Sequence, residues 1–440
     1  MHKDHRQRVL SLFKDQPDAL LYIKGGDILH RYNTDYEYPF RQESRFLYLT
    51  GVKEPGMAAF LHCGTGECIL VIPRRDTQYA VWMGYVLPPE TYQESFQTDH
   101  VLYEDEVPSW LQSHMPKTIH VLPGQDAALQ QLGYHTETGM LDDAITWSRV
   151  IKTPYEIDRL KQAALIANQA HELVMKATKT GMYEYELKAL FEYHAARHGL
   201  IHAPYNGIFA SGPGSAILHY TGFQRRLCEG DLLLVDAGAE CDGYAADITR
   251  TFPVNGHYNG IQADLYDITL QAQLAALSLA EPGKKMEDLH LAAARTIVDG
   301  LLQTGLLKGS IDTLMEKNVF ALFFPHGLGH FLGLDTHDPG GYPKGTVKID
   351  RPGLQFLRAR RTLEPGMVIT IEPGLYFIPA LLIPALENPH YKAFLNRDRI
   401  EQLTGFGGIR IEDNILIGER GYHNLTHVAK TREQIQLIMG

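Results

Sequence analysis

The chain has 440 residues, 44% apolar and 21% charged, a composition that fits a soluble globular protein too long for one ordinary core. Its formal net charge of −11 argues against a nucleic-acid partner, which would require a basic face, and leaves room only for local basic patches. No run approaches the roughly 18 apolar residues that cross a bilayer, and the N-terminus M-H-K-D-H-R-Q-R-V-L lacks the apolar stretch of a signal peptide. The four cysteines (Cys63, Cys68, Cys228, Cys241) have no C-x-x-C spacing. A reduced, cytoplasmic chain with neither a membrane nor a nucleic-acid partner is therefore expected.

Residues 1–150 alternate strand-like and helix-like segments, which predicts a small α/β domain. Met57–Cys63 and Cys68–Pro73 flank G-T-G-E as a hairpin, and T-I-H-V-L from Thr118 reads as a buried strand behind a helix carrying Trp110 and Leu111. The segment F-R-Q-E-S-R-F-L-Y-L-T-G-V from Phe40 interleaves charges with aromatics and reads as a partly exposed strand and turn.

A boundary is expected near Ser148–Lys152. Thr153-Pro154-Tyr155-Glu156 then opens a helix with Thr as N-cap, Pro at the first helical position and Glu three residues after the cap. Further helices are predicted over Glu184–His198, Ile261–Ala280 and Met286–Thr304. Strands are predicted over Asp231–Ala239, Tyr244–Phe252, Val368–Ile371 and Ile409–Ile417. Long helices mixed with strands over residues 151–440 make an α+β domain of catalytic size.

Chemistry concentrates on these strands. Asp236 ends the apolar run D-L-L-L-V-D-A-G, and Asp247 lies in the next run beyond a turn signal at Cys241-Asp242-Gly243. A two-residue turn centred between 241 and 242 would set the two carboxylates directly opposite, with Cβ atoms roughly 4.5–5.5 Å apart. Like charges so close on a buried face call for a cation between them. Glu372 closes the apolar run before Pro373-Gly374, and Glu412 shares a face with Arg410 by the strand period of two.

Between these regions lies P-H-G-L-G-H-F-L-G-L-D-T-H-D-P-G-G-Y-P (Pro325–Pro343), with His326, His330 and His337. Its H-x-x-x-H spacing is not the helical zinc motif H-E-x-x-H. No Glu follows His326, and two intervening glycines cost a helix roughly 2 kcal/mol. Four carboxylates with histidine on apolar strands suit a two-metal site with ions roughly 3.5–4 Å apart. Oxygen-rich ligation with a single imidazole favours manganese, cobalt, iron(II) or zinc.

The order D-A-G, Asp eleven positions on, H-G-L-G-H, E-P-G and R-I-E resembles the pita-bread metallopeptidases of peptidase family M24. That family includes methionine aminopeptidase, aminopeptidase P and prolidase. The resemblance implies a creatinase-like N-terminal domain over residues 1–150 and a pita-bread catalytic domain over residues 151–440. It implies Asp236, Asp247, His330, Glu372 and Glu412 as ligands of two divalent ions, manganese foremost, with Asp247 and Glu412 bridging both. F-R-Q-E-S, V-W-M-G around Trp82, the Pro325–Pro343 run and I-D-R-P-G-L-Q-F-L-R-A-R-R-T-L-E-P-G-M resemble the eukaryotic-type prolidase branch.

The activity implied is hydrolysis of Xaa-Pro dipeptides through a metal-bridging hydroxide, the alternative being an Xaa-Pro aminopeptidase acting on longer peptides. Carried over with it are Glu372 as proton shuttle, His337 as oxyanion partner, His326 as its supporting wall and His219 as a further active-site histidine. Arg358 would bind the carboxylate of the C-terminal proline, Arg410 would neutralise the carboxylate cluster beside the substrate, and Tyr205 and Ile208 would form the pocket wall. Trp82 resembles a residue lent by a partner subunit, which implies a homodimer. Scaffold relatives and metal-free, creatinase-like relatives would lack several of the five ligands, and this chain keeps all five.

Overall fold

A computed structural model describes residues 1–84 and 86–440, which divide into two units, Met1–Arg149 and Val150–Gly440. Among the described residues no helix is long and apolar enough to cross a membrane.

The first unit is built on a six-stranded mixed sheet in the order β4-β3-β2-β1-β5-β6. Its strands are Ala19–Lys24 (β1), Ala58–His62 (β2), Cys68–Ile72 (β3), His100–Tyr103 (β4), Thr118–Val121 (β5) and Thr136–Thr138 (β6). Central β1 runs antiparallel to β2 and parallel to β5, and Leu20, Phe60, Ile69, Ile119 and Val121 bury one face. Each such side chain contributes about 1.5–3 kcal/mol on leaving water.

The segment from Phe40 is a helix, Ser44–Thr50, rather than the strand and turn read from its sequence. The cause lies at its ends. The Glu43 carboxylate accepts from the Phe46 N–H at 2.8 Å, and Gly51 closes the helix at φ 77° in the left-handed region. Phe46, Tyr48 and Leu49 are all buried, so no polar–apolar alternation was available to mark the period.

The second unit opens on the expected helix, Pro154–Ala177. Thr153 and Glu156 cap each other reciprocally, the Thr153 N–H donating to Glu156 Oε2 at 2.7 Å. It packs on Glu184–Arg197, and Gly260–Ser278 packs on Met286–Gln303. The strands form small sheets: Ile208–Ser211 (β7), Leu232–Asp236 (β8) and Thr249–Pro253 (β11) in the order β11-β8-β7, and Val368–Ile371 (β12), Asp413–Ile417 (β15) and Tyr422–Asn424 (β16) in the order β12-β15-β16. Glu240–Cys241 (β9) pairs with Tyr244–Ala245 (β10), and Gly374–Tyr376 (β13) with Gly408–Arg410 (β14). The bridge Thr249↔Glu412 stitches the first group to the second.

Two predicted strands are interrupted where an expected site residue, Asp247 or Glu412, sits. Tyr244–Phe252 breaks between β10 and β11 at Ala246–Ile248, and Ile409–Ile417 breaks at Ile411–Glu412. The hairpin register also differs from expectation. Asp236 pairs with Thr249 and Glu240 with Ala245, so the turn is Asp242-Gly243 and Asp247 stands across from Gly238. Both turn residues have positive φ (52° and 88°), as a two-residue hairpin turn of this kind demands. A slip of two keeps both carboxylates on one face, whereas a slip of one would have parted them. It opens the pair from direct opposition to a diagonal, roughly 7–8 Å between Cα atoms.

Gly238 is required here. A Cβ on it would lie 1.8 Å from the Ala246 carbonyl oxygen.

Candidate active site

Asp236 and Asp247 on the hairpin, Glu372 after β12, Glu412 before β15 and His330 all line one cavity of about 670 Å³ in the second unit. The H-G-L-G-H stretch reaches it as extended backbone laid along β12. Leu332 N–H bonds Val368 O at 3.0 Å, Thr370 N–H bonds His330 O at 2.9 Å and Glu372 N–H bonds Leu328 O at 2.7 Å. A Cβ at Gly329 would sit 2.0 Å from Thr370 O, so only glycine permits this approach.

His330 donates from Nδ1 to the Phe331 carbonyl at 2.9 Å, which turns Nε2 toward Asp247 Oδ2 at 3.3 Å and Glu372 Oε1 at 3.5 Å. Ligand atoms of Asp247, His330 and Glu412 lie within 4.8 Å of one another. Asp236 Oδ1, Glu412 Oε1 and the Tyr205 hydroxyl are buried there without a hydrogen-bond partner among the described residues. Buried carboxylate oxygens left unpaired on one cavity are what divalent cations satisfy, so these residues fit the metals their order implies.

Electrostatics agree. Burial, with the neighbouring charge of Asp247 adding to it, pushes the Glu372 carboxyl up to about 7 and Glu412 well above the usual range. Asp236 is raised chiefly by burial against the opposing pull of Arg410. Burial opposes the His330 cation, but the hydrogen bond and charges of Asp247 and Glu372 outweigh it and raise its pKa. Each raised group binds its proton in the folded, metal-free protein, so the stability it contributes is complete below its unfolded pKa (about 4.3 for Glu, 6.5 for His) and is lost as pH rises through the folded value. Chelator-treated protein therefore loses this contribution between pH 6 and pH 8, set against the opposite change at His171, His290, His326 and His337, whose pKa values burial lowers to about 3 or 4. Added Mn²⁺ should raise the melting temperature more at pH 8 than at pH 6. A Mn²⁺-induced rise no larger at pH 8 than at pH 6 would contradict that assignment.

The other expected residues divide. His219, Tyr205, Ile208, His337 and Arg358 line the cavity. His337 meets His330 edge to face, ring centroids 4.4 Å apart, and burial lowers its pKa to about 4. His326 donates from Nδ1 to Gly327 O at 2.8 Å and accepts from the Tyr376 hydroxyl at 2.9 Å, so both ring nitrogens serve the wall. Arg410 donates to Asp236 Oδ2 at 2.6 Å and to the Tyr376 hydroxyl at 2.8 Å, committing it to the cluster.

Arg360 and Arg361 pair with Glu287 and Glu364, whereas the Arg358 guanidinium makes no hydrogen bond or ion pair among the described residues. Trp82, on the helix Thr77–Met83 of the first unit, is 79% exposed and is not among the residues lining this chain's cavity.

Three supporting residues escaped the sequence reading. Thr249 donates to Glu412 Oε2 at 2.6 Å, Thr370 donates to Glu372 Oε1 at 3.2 Å, and Tyr376 joins Arg410 to His326. The first two carried a signal. Thr249 stands two after Asp247 and Thr370 two before Glu372, the same period that pairs Arg410 with Glu412.

Residues 158–419 match the metallopeptidase family M24, and residues 2–122 match the aminopeptidase P N-terminal domain. The chain is 38% identical to the Xaa-Pro dipeptidase of Homo sapiens, over 99% of this chain and 92% of that one. It is 36% identical to a probable Xaa-Pro aminopeptidase of Talaromyces marneffei, over 99% and 96%. Among solved structures, zinc-substituted aminopeptidase P of E. coli in complex with product superposes with a TM-score of 0.85 at 33% identity, covering 100% and 98% of the two chains. Aminopeptidase PepP of Pseudomonas aeruginosa gives 0.87 at 30%, again covering 100% and 98%.

Proposed function

The chain belongs to metallopeptidase family M24 and is a metal-dependent peptidase, and from that premise we propose that it is an Xaa-Pro dipeptidase with two divalent ions, manganese foremost, held by Asp236, Asp247, His330, Glu372 and Glu412.

The observation that carries the dipeptide reading is Arg358, a cation on the cavity wall with no protein partner among the described residues. Its backbone is held on both sides. A Cβ on Gly327 would meet Phe356 O at 2.9 Å and one on Gly341 would meet Arg358 O at 2.3 Å, so the segment threads between two glycines. Arg360 N–H bonds Gly341 O at 2.8 Å beyond it. An unpaired guanidinium on a backbone held in this way at a peptidase site suits the free carboxylate of a C-terminal proline, which it would take as a bidentate pair.

An Xaa-Pro bond has no N–H on its scissile nitrogen, so recognition falls to the substrate's two ends. When bound, the metal ions supply a Lewis acid for the carbonyl and lower the pKa of water toward neutrality. Glu372 takes the proton of the attacking water and passes it to the proline nitrogen as the C–N bond breaks. His337 donates toward the carbonyl oxygen as charge gathers there, with His219 beside it. Arg410 and Thr249 keep Asp236 and Glu412 oriented. Trp82, exposed on its own unit, is proposed to complete the site of a second subunit in a homodimer.

A second reading, an Xaa-Pro aminopeptidase acting on longer peptides, is favoured by the likeness to solved aminopeptidases P. Rates on Ala-Pro and Ala-Pro-Ala separate the two. The dipeptidase reading expects the tripeptide to be turned over at least tenfold more slowly, and comparable rates would replace it with the second.

A further inference from the structure

Lys152 and Asp338 form an ion pair of 2.7 Å whose side chains are 1% and 0% exposed. Neither lines the cavity. Burying such a pair costs desolvation that apolar residues of equal volume would not, so stability alone is a weak account of it.

Its attachments suggest another. The Lys152 N–H bonds the Gly366 carbonyl at 2.9 Å, at the turn that feeds β12 and so Glu372. Asp338 directly follows His337. Its N–H bonds Phe331 O at 2.9 Å, and its Oδ1 accepts from the Asp335 N–H at 3.1 Å. Phe331 bridges both Asp338 and Ile369 of β12. A Cβ on Gly333 would lie 2.6 Å from the Asp338 carboxylate, so the loop winds tightly around that group. One end of the loop is His330 and the other is His337.

We propose that the Lys152–Asp338 pair is the positioning device for His337, tying the loop that carries it to the turn that sets Glu372. Lys152 and Asp338 are positioning residues: they touch no substrate and act through the imidazole. The inference rests on the reading of His337 as the carbonyl's partner.

The test is a cycle of K152M and H337A in the full-length, metal-loaded enzyme, with metal content and melting temperature recorded beside kcat and KM for Ala-Pro. With two ions bound, K152M is expected to lower kcat tenfold or more, leave KM within about twofold, and lower kcat by less than twofold when His337 is already alanine. An unchanged kcat in K152M, or an equal fall in both backgrounds, overturns the inference while H337A's own loss upholds the role of His337. A wild-type kcat in H337A removes that role and this inference with it. If K152M does not fold, D338N, which retains an oxygen for the Asp335 N–H, carries the same comparison.

Discussion

Replacing Asp247 by alanine is expected to lower kcat about 10³-fold or more and to leave fewer than two ions bound per chain. The backbone at this position does not depend on its carboxylate. Its N–H donates to Asn414 Oδ1 at 3.0 Å, and the Asn414 amide donates back to its carbonyl. What the substitution removes is the oxygen 3.3 Å from His330 Nε2, in the cluster that also contains Glu412.

The same variant separates a metal role from a structural one by how far Mn²⁺ shifts its melting temperature. The charge of Asp247 is among the causes that raise Asp236, Glu372 and Glu412. Against that repulsion stand the hydrogen bond and charge of His330, which with Tyr205 and His337 hold the Asp247 carboxyl below its usual range despite burial, so its ionised form stabilises the metal-free fold at pH 8. Chelated Asp247→Ala should therefore melt somewhat below chelated wild type, while Mn²⁺ raises its melting temperature far less. Two ions per chain by elemental analysis, with turnover within tenfold of wild type, would remove Asp247 from the ligand set.

Much of this candidate site was legible because its proposed ligands sit at punctuation in the sequence. Asp236 is the last residue of β8 and Glu372 directly follows β12, while Asp247 and Glu412 each sit at a break in a predicted strand. The glycines of H-G-L-G-H ruled out a helix correctly, and the structure supplies the cause in Gly329, whose missing Cβ lets the segment lie on Thr370. The hairpin register was misread by two positions because three polar or small residues, Cys241-Asp242-Gly243, compete for a two-residue turn. The positive φ of Asp242 and Gly243 decides among them.

Ser44–Thr50 was misread for a different reason: buried on nearly all sides, it shows neither period, and its Glu43 cap and Gly51 stop were the informative residues. Contacts made through tertiary closure left no trace in the spacing. Tyr376 reaching both His326 and Arg410, and Lys152 reaching Asp338, join residues 34 to 186 positions apart.

Arg358→Ala is expected to raise KM for Ala-Pro roughly 30-fold while changing kcat by less than about threefold. A hydrogen-bonded pair between charged groups is worth about 1.5–3 kcal/mol; the bidentate fork strengthens it and the exposure of Arg358 weakens it, which leaves about 2 kcal/mol. Since a carboxylate clamp acts on substrate and transition state alike, the loss belongs in KM. Ala-Pro-amide, which has no carboxylate, should bind both enzymes equally.

Stability should hardly move, because the guanidinium has no protein partner to abandon and the segment is held by backbone at Gly327 and Gly341. Arg358→Lys should recover part of the affinity, since an ammonium restores the charge without the fork. An unaffected KM for Ala-Pro in the alanine variant, or an equal loss with the amide, would free Arg358 from the carboxylate. The preference for dipeptides would then have to come from the length of the cavity instead.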